Sequence, residues 1–583
     1  MKPTRSWLAI LPALLALTFG AGATARAQQG DFAADTRAYL TKLEKLGFAG
    51  VVVVASAGSP IVAEGYGLAD RERDLRWTPA TVSDIGSITK QFTAAAILAL
   101  EEQGRLRVQD SLAVYFPRAP GDKRAITLHQ LLTHSSGIVD LEGAGDWDSI
   151  GRDEFVRRAL AQPLEFPPGS SYEYSNAGYS LLGAIIEQLT GTSWEQFARI
   201  RLFLPQGMYE TGYILPSWGE GRFAQGYRGG QRWGTTLERP MDRDGPYWAL
   251  RANGGVHATA YDMLRWAEAL LDGRVLSAAS MDKLWTPHVK EPGDTHYGYG
   301  WSIADFGGTK VVTHNGGNGI HFADFAIVPA ARTVVFLQSN VIADVPLGNR
   351  LLEQIGARLV GNTPYPSVPD VVAVPGTELA SLAGIYQLPG GMGALRVAAE
   401  EPRLVVEALG VRAFTLLHSS RPIDEARAAR LVNRMDRIAA AVVRGDFEPM
   451  RRARGNDVPV TLLAERQAEW LAEQEPRLGQ LVSHEVLGTA LQEDRDLTVV
   501  RFRFERGTAD RAYVWSLDAE ARLLGISGRG LPSQLGFVPT GRGQFASWDG
   551  GRTSSRPLVF APGGDGRMRA VIGSGSAATT AVR

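Results

Sequence analysis

The segment DIGSITKQFTAAAI, residues 84–97, carries a serine and a lysine one helical turn apart. Its apolar, alanine-rich continuation predicts a helix inside the protein and not on its surface. Residues i and i+3 of a helix share a face, so Lys90 can contact the hydroxyl of Ser87. A serine hydroxyl needs a base to become a good nucleophile, and burial lowers the pKa of a lysine until its amine can accept a proton. The segment therefore predicts a nucleophile with its base at the start of a core helix.

The same spacing occurs a second time, at Ser280 and Lys283. There the surrounding VLSAASMDKLW indicates an ordinary helix start with serine near its cap, and no other chemical group is implied. Short motifs of this kind often match by chance. A catalytic interpretation of Ser87 and Lys90 therefore needs support from other parts of the chain.

The composition indicates a folded protein with more than one domain. The chain has 583 residues and a formal charge of −1, with 44% hydrophobic and 21% charged residues. That length exceeds what one hydrophobic core usually organises. The basic residues are scattered, which argues against nucleic-acid binding, and the absence of cysteine excludes thiol catalysis and cysteine-ligated metals. No cofactor is expected.

The first 27 residues predict a signal peptide. Lys2 and Arg5 precede an apolar run at about 7–19, and the sequence ARA follows at 25–27. The run is too short to span a bilayer as a mature helix. We therefore expect an exported protein, periplasmic or secreted, with no transmembrane span in the mature chain. An uncleaved N-terminal anchor is the alternative.

Strand patterns lie at both ends of the first 360 or so residues, with helical patterns between them. Strand-like runs occur at 50–57 and 60–67, helix-type apolar spacing dominates from 87 to about 290, and strand patterns return at 298–340. Distant strands of this kind predict one antiparallel sheet with an inserted helical subdomain. The cleft between the sheet and this subdomain is the expected location of a site.

The segment SSYEYSNAGYSLLG follows a turn, precedes a helix and contains Tyr174 and Asn176. A tyrosine beside a lysine can act as a phenolate base, because a nearby positive charge lowers its pKa. The asparagine can donate to a substrate oxygen or hold Lys90. Taken alone, a packed tyrosine and an asparagine helix cap are the more common roles.

The segment KVVTHNGGNGIHFADF places His314, Gly316 and Gly317 at the end of a strand. Consecutive glycines let a substrate approach the backbone closely. A backbone N–H at this point can complete an oxyanion hole with the N–H of Ser87. The alternative is a hairpin turn with a histidine beside it.

In order and approximate spacing, these three motifs together resemble the class C β-lactamase-like serine hydrolases. That superfamily includes penicillin-binding proteins, D-alanyl-D-alanine carboxypeptidases, D-aminopeptidases and esterases. The companion segments ITLHQLLTHSSGI, GGVHATAYDMLRWA and YGYGW match as well. The resemblance covers about residues 33–361. It implies an α+β fold with a β-lactamase/transpeptidase-like antiparallel sheet, flanking helices and the inserted helical subdomain.

The resemblance also implies a role for each motif residue. Ser87 would be the acylated nucleophile, with Lys90 and Tyr174 sharing the role of general base. The backbone N–H groups of Ser87 and Gly317 would form the oxyanion hole. Three further residues would bind and orient the substrate: Asn176, His314 and Gly316.

The expected function is hydrolysis of an ester, an amide or a D-amino-acid peptide through an acyl-enzyme. β-Lactamases of this group usually carry lysine where this chain has His314, and histidine is mostly neutral at pH 7. β-Lactamase or D-Ala-D-Ala carboxypeptidase activity is therefore the alternative, and a non-catalytic binding or sensor protein is the rival from another class. A Ser-His-Asp hydrolase would need a G-x-S-x-G elbow, which is missing around Ser87. A zinc hydrolase would need clustered ligands, but the histidines are dispersed.

After a proline-rich linker, the chain more weakly resembles accessory domains appended to such hydrolases. This resemblance implies a lipocalin-like β domain that is interrupted by a nuclear-transport-factor-like α+β cone, and a role in substrate shaping or partner binding and not in chemistry. The resulting fold is mostly β in this region, with a cone-like insertion. The predicted boundaries are a signal peptide at 1–27, the hydrolase domain at 28–362, the linker at 363–377, the β domain at 378–422 and 529–572, the cone at 423–528 and a flexible tail at 573–583.

Overall fold

The computed structural model describes residues 23–583 except 142, 229, 307, 343–346, 348–349, 455–461, 493–494, 528–530, 532–533, 548–556 and 574–577. Residues 1–22 of the predicted signal peptide therefore lie outside the described residues. Its last five residues, 23–27, form the start of the helix Ala23–Lys45. The chain divides into two compact units, Met1–Pro366 and Ser367–Arg583. None of the helices in the described part of the chain combines the length and the hydropathy that a membrane crossing requires.

An antiparallel sheet organises the first unit. Gly50–Ser56 pairs on one side with Ser59–Tyr66 and on the other with Thr333–Ser339, so strands from both ends of the unit meet in one sheet. Its four valines are fully buried, and since alternate residues face opposite sides, both faces of the sheet are covered. The described strands are, in spatial order, Ser59–Tyr66, Gly50–Ser56, Thr333–Ser339, Phe322–Val328, Thr309–Gly317, Ser302–Phe306, His296–Tyr297 and Val289–Lys290.

Helices cover this sheet and fill the segment between its strands, which confirms the predicted fold class. Ala260–Leu271 packs against the central strands, and Thr89–Glu102 packs against Asn176–Thr190. Residues 89–100 are all buried, as the apolar segment after Ser87 predicts. The described α-helices of this unit are Ala23–Lys45, Thr89–Glu102, Leu112–Tyr115, Leu128–Leu132, Arg152–Ala161, Asn176–Thr190, Trp194–Ala198, Ala260–Leu271, Ala278–Leu284 and Arg350–Gly361.

A closed barrel organises the second unit, and an apolar cluster that includes Leu395, Phe537 and Phe560 fills it. The chain leaves the barrel after Arg403–Leu409 and returns with Gln534–Gly541, which pairs with that same strand. The prediction that the C-terminal region is mostly β and contains an α+β insertion is thus confirmed. The described barrel strands are Gly384–Gln387, Ala394–Glu400, Arg403–Leu409, Gln534–Gly541, Gln544–Ser547, Pro557–Pro562, Met568–Ile572 and Thr579–Val582.

The insertion packs helices against a four-stranded antiparallel sheet. Its first helix, Val411–His418, lies inside the predicted β domain 378–422, where the short apolar run RAFTLLH is also typical of a strand. Short apolar runs cannot be assigned to helix or strand by periodicity alone, and this one is buried among residues of both the barrel and the insertion. The described elements are the helices Val411–His418, Glu425–Val443, Glu448–Ala453 and Leu462–Leu478 and the strands Leu481–Leu491, Asp496–Phe504, Gly507–Trp515 and Leu523–Ser527.

The C-terminal residues differ from the predicted flexible tail. Thr579–Val582 is a strand that pairs with Met568–Ile572 and, through Val582, with Gln387. Ala581 is fully buried in the barrel. The small and polar composition of this segment predicts disorder, but closing the barrel supplies hydrogen-bonding partners that no local pattern reveals.

Candidate active site

Ser87 and Lys90 lie at the start of the buried helix Thr89–Glu102. Ser87 belongs to the short turn Gly86–Ile88 and is half-buried, whereas Lys90 is fully buried. Lys90 Nζ lies 3.1 Å from Ser87 Oγ, which is hydrogen-bond distance. The structure therefore brings the two residues of the first motif into direct contact.

Two carbonyl oxygens hold the amine of Lys90 in place. Nζ donates to Asn176 Oδ1 at 2.8 Å and to the backbone oxygen of Asn253 at 2.8 Å. A carbonyl oxygen only accepts, so each takes one N–H of the amine and the remaining position of Nζ faces Ser87. Asn253 is absent from the predicted site because it contributes a backbone atom, which every residue type has. Its only sequence signal is the pair of glycines that follows it.

Burial lowers the pKa of Lys90 from 10.5 to about 7. Loss of hydration is the main cause, and the carboxylates of Asp140 and Asp146 act in the opposite direction. Asp140 also accepts hydrogen bonds from Asn176 Nδ2 at 3.1 Å and from the N–H of Ala177 at 2.9 Å, which fixes the amide that holds Lys90. A large fraction of Lys90 is therefore a neutral amine near pH 7.

His134 holds the backbone on both sides of Tyr174. The N–H of Glu173 donates to the backbone oxygen of His134 at 2.9 Å, and the N–H of Ser175 donates to its Nδ1 at 3.0 Å. The His134 ring lies 4.3 Å from the Tyr174 ring, whose centroid is 4.7 Å from Lys90 Nζ. Burial is the main reason that the pKa of His134 lies well below its ordinary value, so the imidazole is neutral and Nδ1 can accept. In the sequence, this histidine is visible only as part of the companion segment ITLHQLLTHSSGI, without a predicted role.

His134→Asn is expected to lower kcat by about 10-fold with a smaller change in KM, because misplacing a reacting group costs rate more than binding. Asparagine keeps an acceptor for Ser175 and tolerates the φ of 57° at this position, but it removes the ring under Tyr174. Steady-state kinetics with melting temperature would measure the effect. His418→Asn, which removes a buried ring whose centroid lies 4.3 Å from that of Phe414 in the second unit, is the control. Equal kcat values for the two variants would contradict a positioning role for His134.

His314 lies beside Tyr174, with 6.2 Å between the ring centroids, as its predicted place in the site requires. Its Nδ1 is 2.6 Å from the backbone oxygen of Asn315, and its Nε2 is 2.9 Å from the hydroxyl of Tyr297. Since the carbonyl can only accept, Nδ1 carries a hydrogen, and Nε2 shares a hydrogen bond with the tyrosine hydroxyl. The ring is only 4% exposed. Both ring nitrogens are therefore within hydrogen-bond distance of protein atoms.

Gly316 and Gly317 pack directly against the turn that carries Ser87. A Cβ on Gly316 would lie 2.5 Å from the backbone nitrogen of Ser87, and one on Gly86 would lie 2.2 Å from the nitrogen of Gly317. Real Cβ atoms are not found at such distances, so both positions require glycine. The φ of 52° at Gly86 adds to this requirement. The two backbone nitrogens predicted for the oxyanion hole thus belong to segments in direct contact.

The second serine–lysine pair has a different environment. Lys283 Nζ forms an ion pair with Glu101 Oε2 at 2.8 Å, and the N–H of Ser280 donates to the capping hydroxyl of Ser277 at 3.3 Å. The lysine is part-exposed and its amine is committed to a carboxylate and not to the serine. This agrees with the interpretation of residues 280–283 as part of an ordinary helix start.

Comparison with known protein families matches residues 36–356, more than half of the chain, to the family described as Beta-lactamase. The chain belongs to the beta-lactamase family. All residues predicted for the site of this beta-lactamase family member, from Ser87 to Gly317, lie within the matched region.

Relatives of this beta-lactamase family member carry several names. It is 31% identical to penicillin-binding protein 4 of Amycolatopsis lactamdurans over 356 residues, which cover 56% of this chain and 89% of the relative. It is 32% identical to esterase EstB of Burkholderia gladioli over 257 residues, or 38% of this chain and 64% of the relative. A solved structure of D-amino acid amidase from Ochrobactrum anthropi SV3 aligns with 57% of this chain and all of that chain, at 22% identity and a TM-score of 0.48.

Proposed function

We propose that this protein is a serine hydrolase that acts through an acyl-enzyme on Ser87, with Lys90 as the first base. The observation that carries the proposal is the environment of Lys90 Nζ, which is fully buried, held by two carbonyl oxygens and 3.1 Å from Ser87 Oγ. A neutral amine held in this way keeps its lone pair toward the serine hydroxyl. Membership of a family with named esterase and penicillin-binding relatives supports the general class.

In the acylation step, Lys90 takes the hydroxyl proton of Ser87 while Oγ forms a bond to the substrate carbonyl carbon. The carbonyl oxygen becomes an oxyanion, which the N–H groups of Ser87 and Gly317 would stabilise. Collapse of this intermediate breaks the bond to the leaving group. The leaving group takes a proton delivered from Lys90 through the hydroxyl of Tyr174, whose ring lies against the amine.

Deacylation repeats these proton transfers with water in place of the serine hydroxyl. Tyr174 and Lys90 take a proton from the water as it attacks the acyl carbon, and Ser87 Oγ leaves with the proton returned to it. Asn176 keeps the amine oriented in both halves of the cycle, since its side chain is fixed by Asp140. The pair of Lys90 and Tyr174 thus acts first as base and then as acid in acylation, and does so again in deacylation.

The proposed substrates are esters, amides or D-amino-acid peptides. A β-lactam or a peptide C-terminus presents a carboxylate, which a fixed positive charge would bind. A lysine at position 314 would supply a permanent charge, whereas this chain has a histidine there, and both of its ring nitrogens are engaged with Asn315 and Tyr297. The similarity to a named esterase supports this preference, and the penicillin-binding relatives support β-lactam or D-Ala-D-Ala chemistry as the second candidate.

A panel of three substrates tests this proposal: a p-nitrophenyl ester, a cephalosporin and a D-Ala-D-Ala peptide. We expect the highest kcat/KM for the ester, and a cephalosporin turned over faster than the ester would reverse the preference. A burst of one equivalent of p-nitrophenol without further turnover would instead favour a sensor that is acylated but does not hydrolyse.

We also propose that the protein is exported, on the strength of the basic start and short apolar run that precede residue 27. Cleavage after the ARA sequence would leave a mature chain that begins at residue 28. The intact mass of the protein recovered from the periplasm or medium tests this, and a mass that retains residues 1–27 would favour the uncleaved anchor.

The kcat/KM of the ester reaction is expected to rise with pH through about 7, the pKa that burial gives Lys90, and then to level off. The sign follows from the mechanism: only the neutral amine can take the proton of Ser87, so protonation below this pKa removes activity. A pH–rate profile between pH 5 and 9 measures the midpoint. A flat profile, or one that falls over this range, would contradict Lys90 as the base.

Asn176→Asp provides the control for assigning the midpoint of the pH–rate profile to Lys90. A carboxylate 2.8 Å from the amine favours its charged form, so the midpoint is expected to move up by about one unit or more. Asn176→Ala removes the same hydrogen bond without adding charge and should lower the rate with a smaller shift of the midpoint. Identical midpoints in the two variants would show that another group controls the profile.

A further inference from the structure

The two N–H groups of the proposed oxyanion hole come from segments far apart in sequence. Ser87 follows the strand Ser83–Asp84, and Gly317 ends the strand Thr309–Gly317. The close approach of the glycine backbones prevents the segments from moving nearer to each other. A hydrogen-bonded contact between the two segments would in addition resist their separation.

Asp84 is placed to make that contact. Its carboxylate is 3% exposed and lies three residues before Ser87. Oδ1 accepts the N–H of Gly86 at 2.6 Å, within the turn that carries Ser87. Oδ2 accepts from Asn318 Nδ2 at 3.2 Å, on the residue that follows Gly317 and 234 residues away along the chain.

Asn318 is itself fixed to the hairpin that carries Gly317. Its Oδ1 accepts the N–H groups of Ile320 at 3.0 Å and His321 at 2.9 Å. Both ends of the side-chain amide are thus engaged, and its orientation is set by these backbone donors. Asp84 and Asn318 together form a continuous hydrogen-bonded bridge from the Gly86 N–H to the hairpin.

We propose that Asp84 and Asn318 are positioning residues that set the separation of the Ser87 and Gly317 N–H groups and so tune the oxyanion hole. This inference rests on the proposed function. An oxyanion hole contributes only when both donors reach the oxygen of the tetrahedral intermediate, so loosening the bridge lowers the rate of acylation more than it weakens ground-state binding. Both residues act through the backbone and neither needs to touch the substrate.

The charge state of Asp84 gives this bridge a signature of its own. Burial, with a contribution from Asp146, raises the pKa of Asp84 from 3.8 to about 7, while the donors Gly86 and Asn318 act in the opposite direction. His257 on the paired strand and His321 on the hairpin both have pKa values lowered to about 4, mainly by burial, so neither changes charge above pH 5. Keeping Asp84 ionised inside the protein therefore lowers the free energy of unfolding. The bridge nevertheless requires the ionised form, because only a carboxylate accepts on both oxygens.

A reciprocal exchange of the two side chains tests the bridge. Asp84→Asn alone places two amide donors against each other, and Asn318→Asp alone places two carboxylates against each other. Each is expected to lower the p-nitrophenol burst rate by about 10- to 100-fold with little change in KM. The double variant restores every hydrogen bond, because the new amide at 84 donates to the new carboxylate at 318, which still accepts from Ile320 and His321. It is expected to recover to within about 3-fold of the wild type.

Affinity for a boronic acid, which mimics the tetrahedral intermediate, should follow the same pattern as the burst rate. Asp262→Asn is the matched control, since Asp262 is a fully buried carboxylate that also accepts a backbone N–H and a hydroxyl, away from Ser87. Asp262→Asn should change the melting temperature but should leave the burst rate and the boronic-acid affinity unchanged. If one single variant does not fold, Asn318→Ser, which removes the bridge without adding charge, takes its place.

The pH dependence of stability checks that Asp84 is a buried, ionisable carboxyl, whereas the burst rate and the boronic-acid affinity separate a positioning role from a purely structural one. A folded pKa above the unfolded value means that the stabilising contribution of Asp84 is present below about pH 4 and is lost as pH rises through about 7. Relative to the wild type, Asp84→Asn should therefore gain in melting temperature between pH 5 and 8 while its burst rate stays low.

Single variants as active as the wild type, or a double variant no better than the worse single one, would overturn the bridge. A wild type without any Ser87-dependent hydrolysis would instead overturn the proposed function. The two failures are therefore distinguishable.

Discussion

Ser87→Ala is expected to lower hydrolysis of every substrate that the protein accepts by about 10⁴- to 10⁶-fold. The variant lacks the oxygen that forms the acyl-enzyme, and Lys90 then has no proton to remove. The change should leave the melting temperature within about 3 °C of the wild type, because the hydroxyl is small and only half-buried. Steady-state kinetics with a p-nitrophenyl ester and a thermal melt measure both quantities on the same sample.

Ser280→Ala is the matched control for this loss. It removes a serine from the second pair with the same spacing, whose lysine is committed to Glu101. Its activity should stay within about 2-fold of the wild type. Equal losses in the two variants, or no loss in Ser87→Ala, would contradict the assignment of the nucleophile.

Lys90→Met is expected to lower kcat/KM by about 10³-fold, within the range that a general base contributes. Methionine is close to lysine in length and apolar, so it suits the buried position but cannot take the proton of Ser87. The loss should persist at high pH, unlike the loss that protonation causes in the wild type. A pH–rate profile of the variant separates the two causes.

The stability of Lys90→Met adds an independent check with a defined sign. The folded pKa of Lys90 lies below its unfolded value of 10.5, so its contribution is present above that pH and is lost as pH falls through about 7. Relative to the wild type, the variant should therefore become more stable as pH falls from 10 to 6.

Lys283→Met is the matched control, since it breaks a part-exposed ion pair that contributes no more than about 1 kcal/mol. It should retain activity within about 2-fold. A Lys90→Met variant with near-normal activity would show that Tyr174 alone serves as the base.

The sequence predicts the residues that act through their own side chains. Ser87 and Lys90 share a helix face by spacing alone, and Tyr174 and Asn176 lie in a short segment that the fold brings to the same amine. Their grouping in the structure follows from motifs that are visible without coordinates.

Three contacts around this site could not be predicted from motifs, although the glycine motif does predict backbone N–H groups for the oxyanion hole. Asn253 contributes a carbonyl oxygen from 163 residues away, and the meeting of Asp84 with Asn318 depends on how the sheet is closed. His134, which has a positive φ, contacts the backbone around Tyr174 from 41 residues away. Each depends on tertiary contacts, which short motifs do not encode.

The same limit applies to the fold. The distant strands of the large sheet are recognisable from their apolar runs, because both faces are buried. The segment Val411–His418 forms a helix in spite of its strand-like pattern, and Thr579–Val582 pairs in the barrel in spite of its polar composition. In both cases, tertiary packing overrides local preference.

Labelling with a fluorophosphonate tests the central claim most directly. The Ser87 oxygen displaces fluoride from phosphorus, so intact-mass analysis should show one adduct per chain, located on the peptide that contains Ser87. The adduct should be absent from Ser87→Ala, present in Ser280→Ala and formed more slowly below pH 7 as Lys90 becomes protonated. No adduct on the wild type, or an adduct located at another serine, would contradict the account.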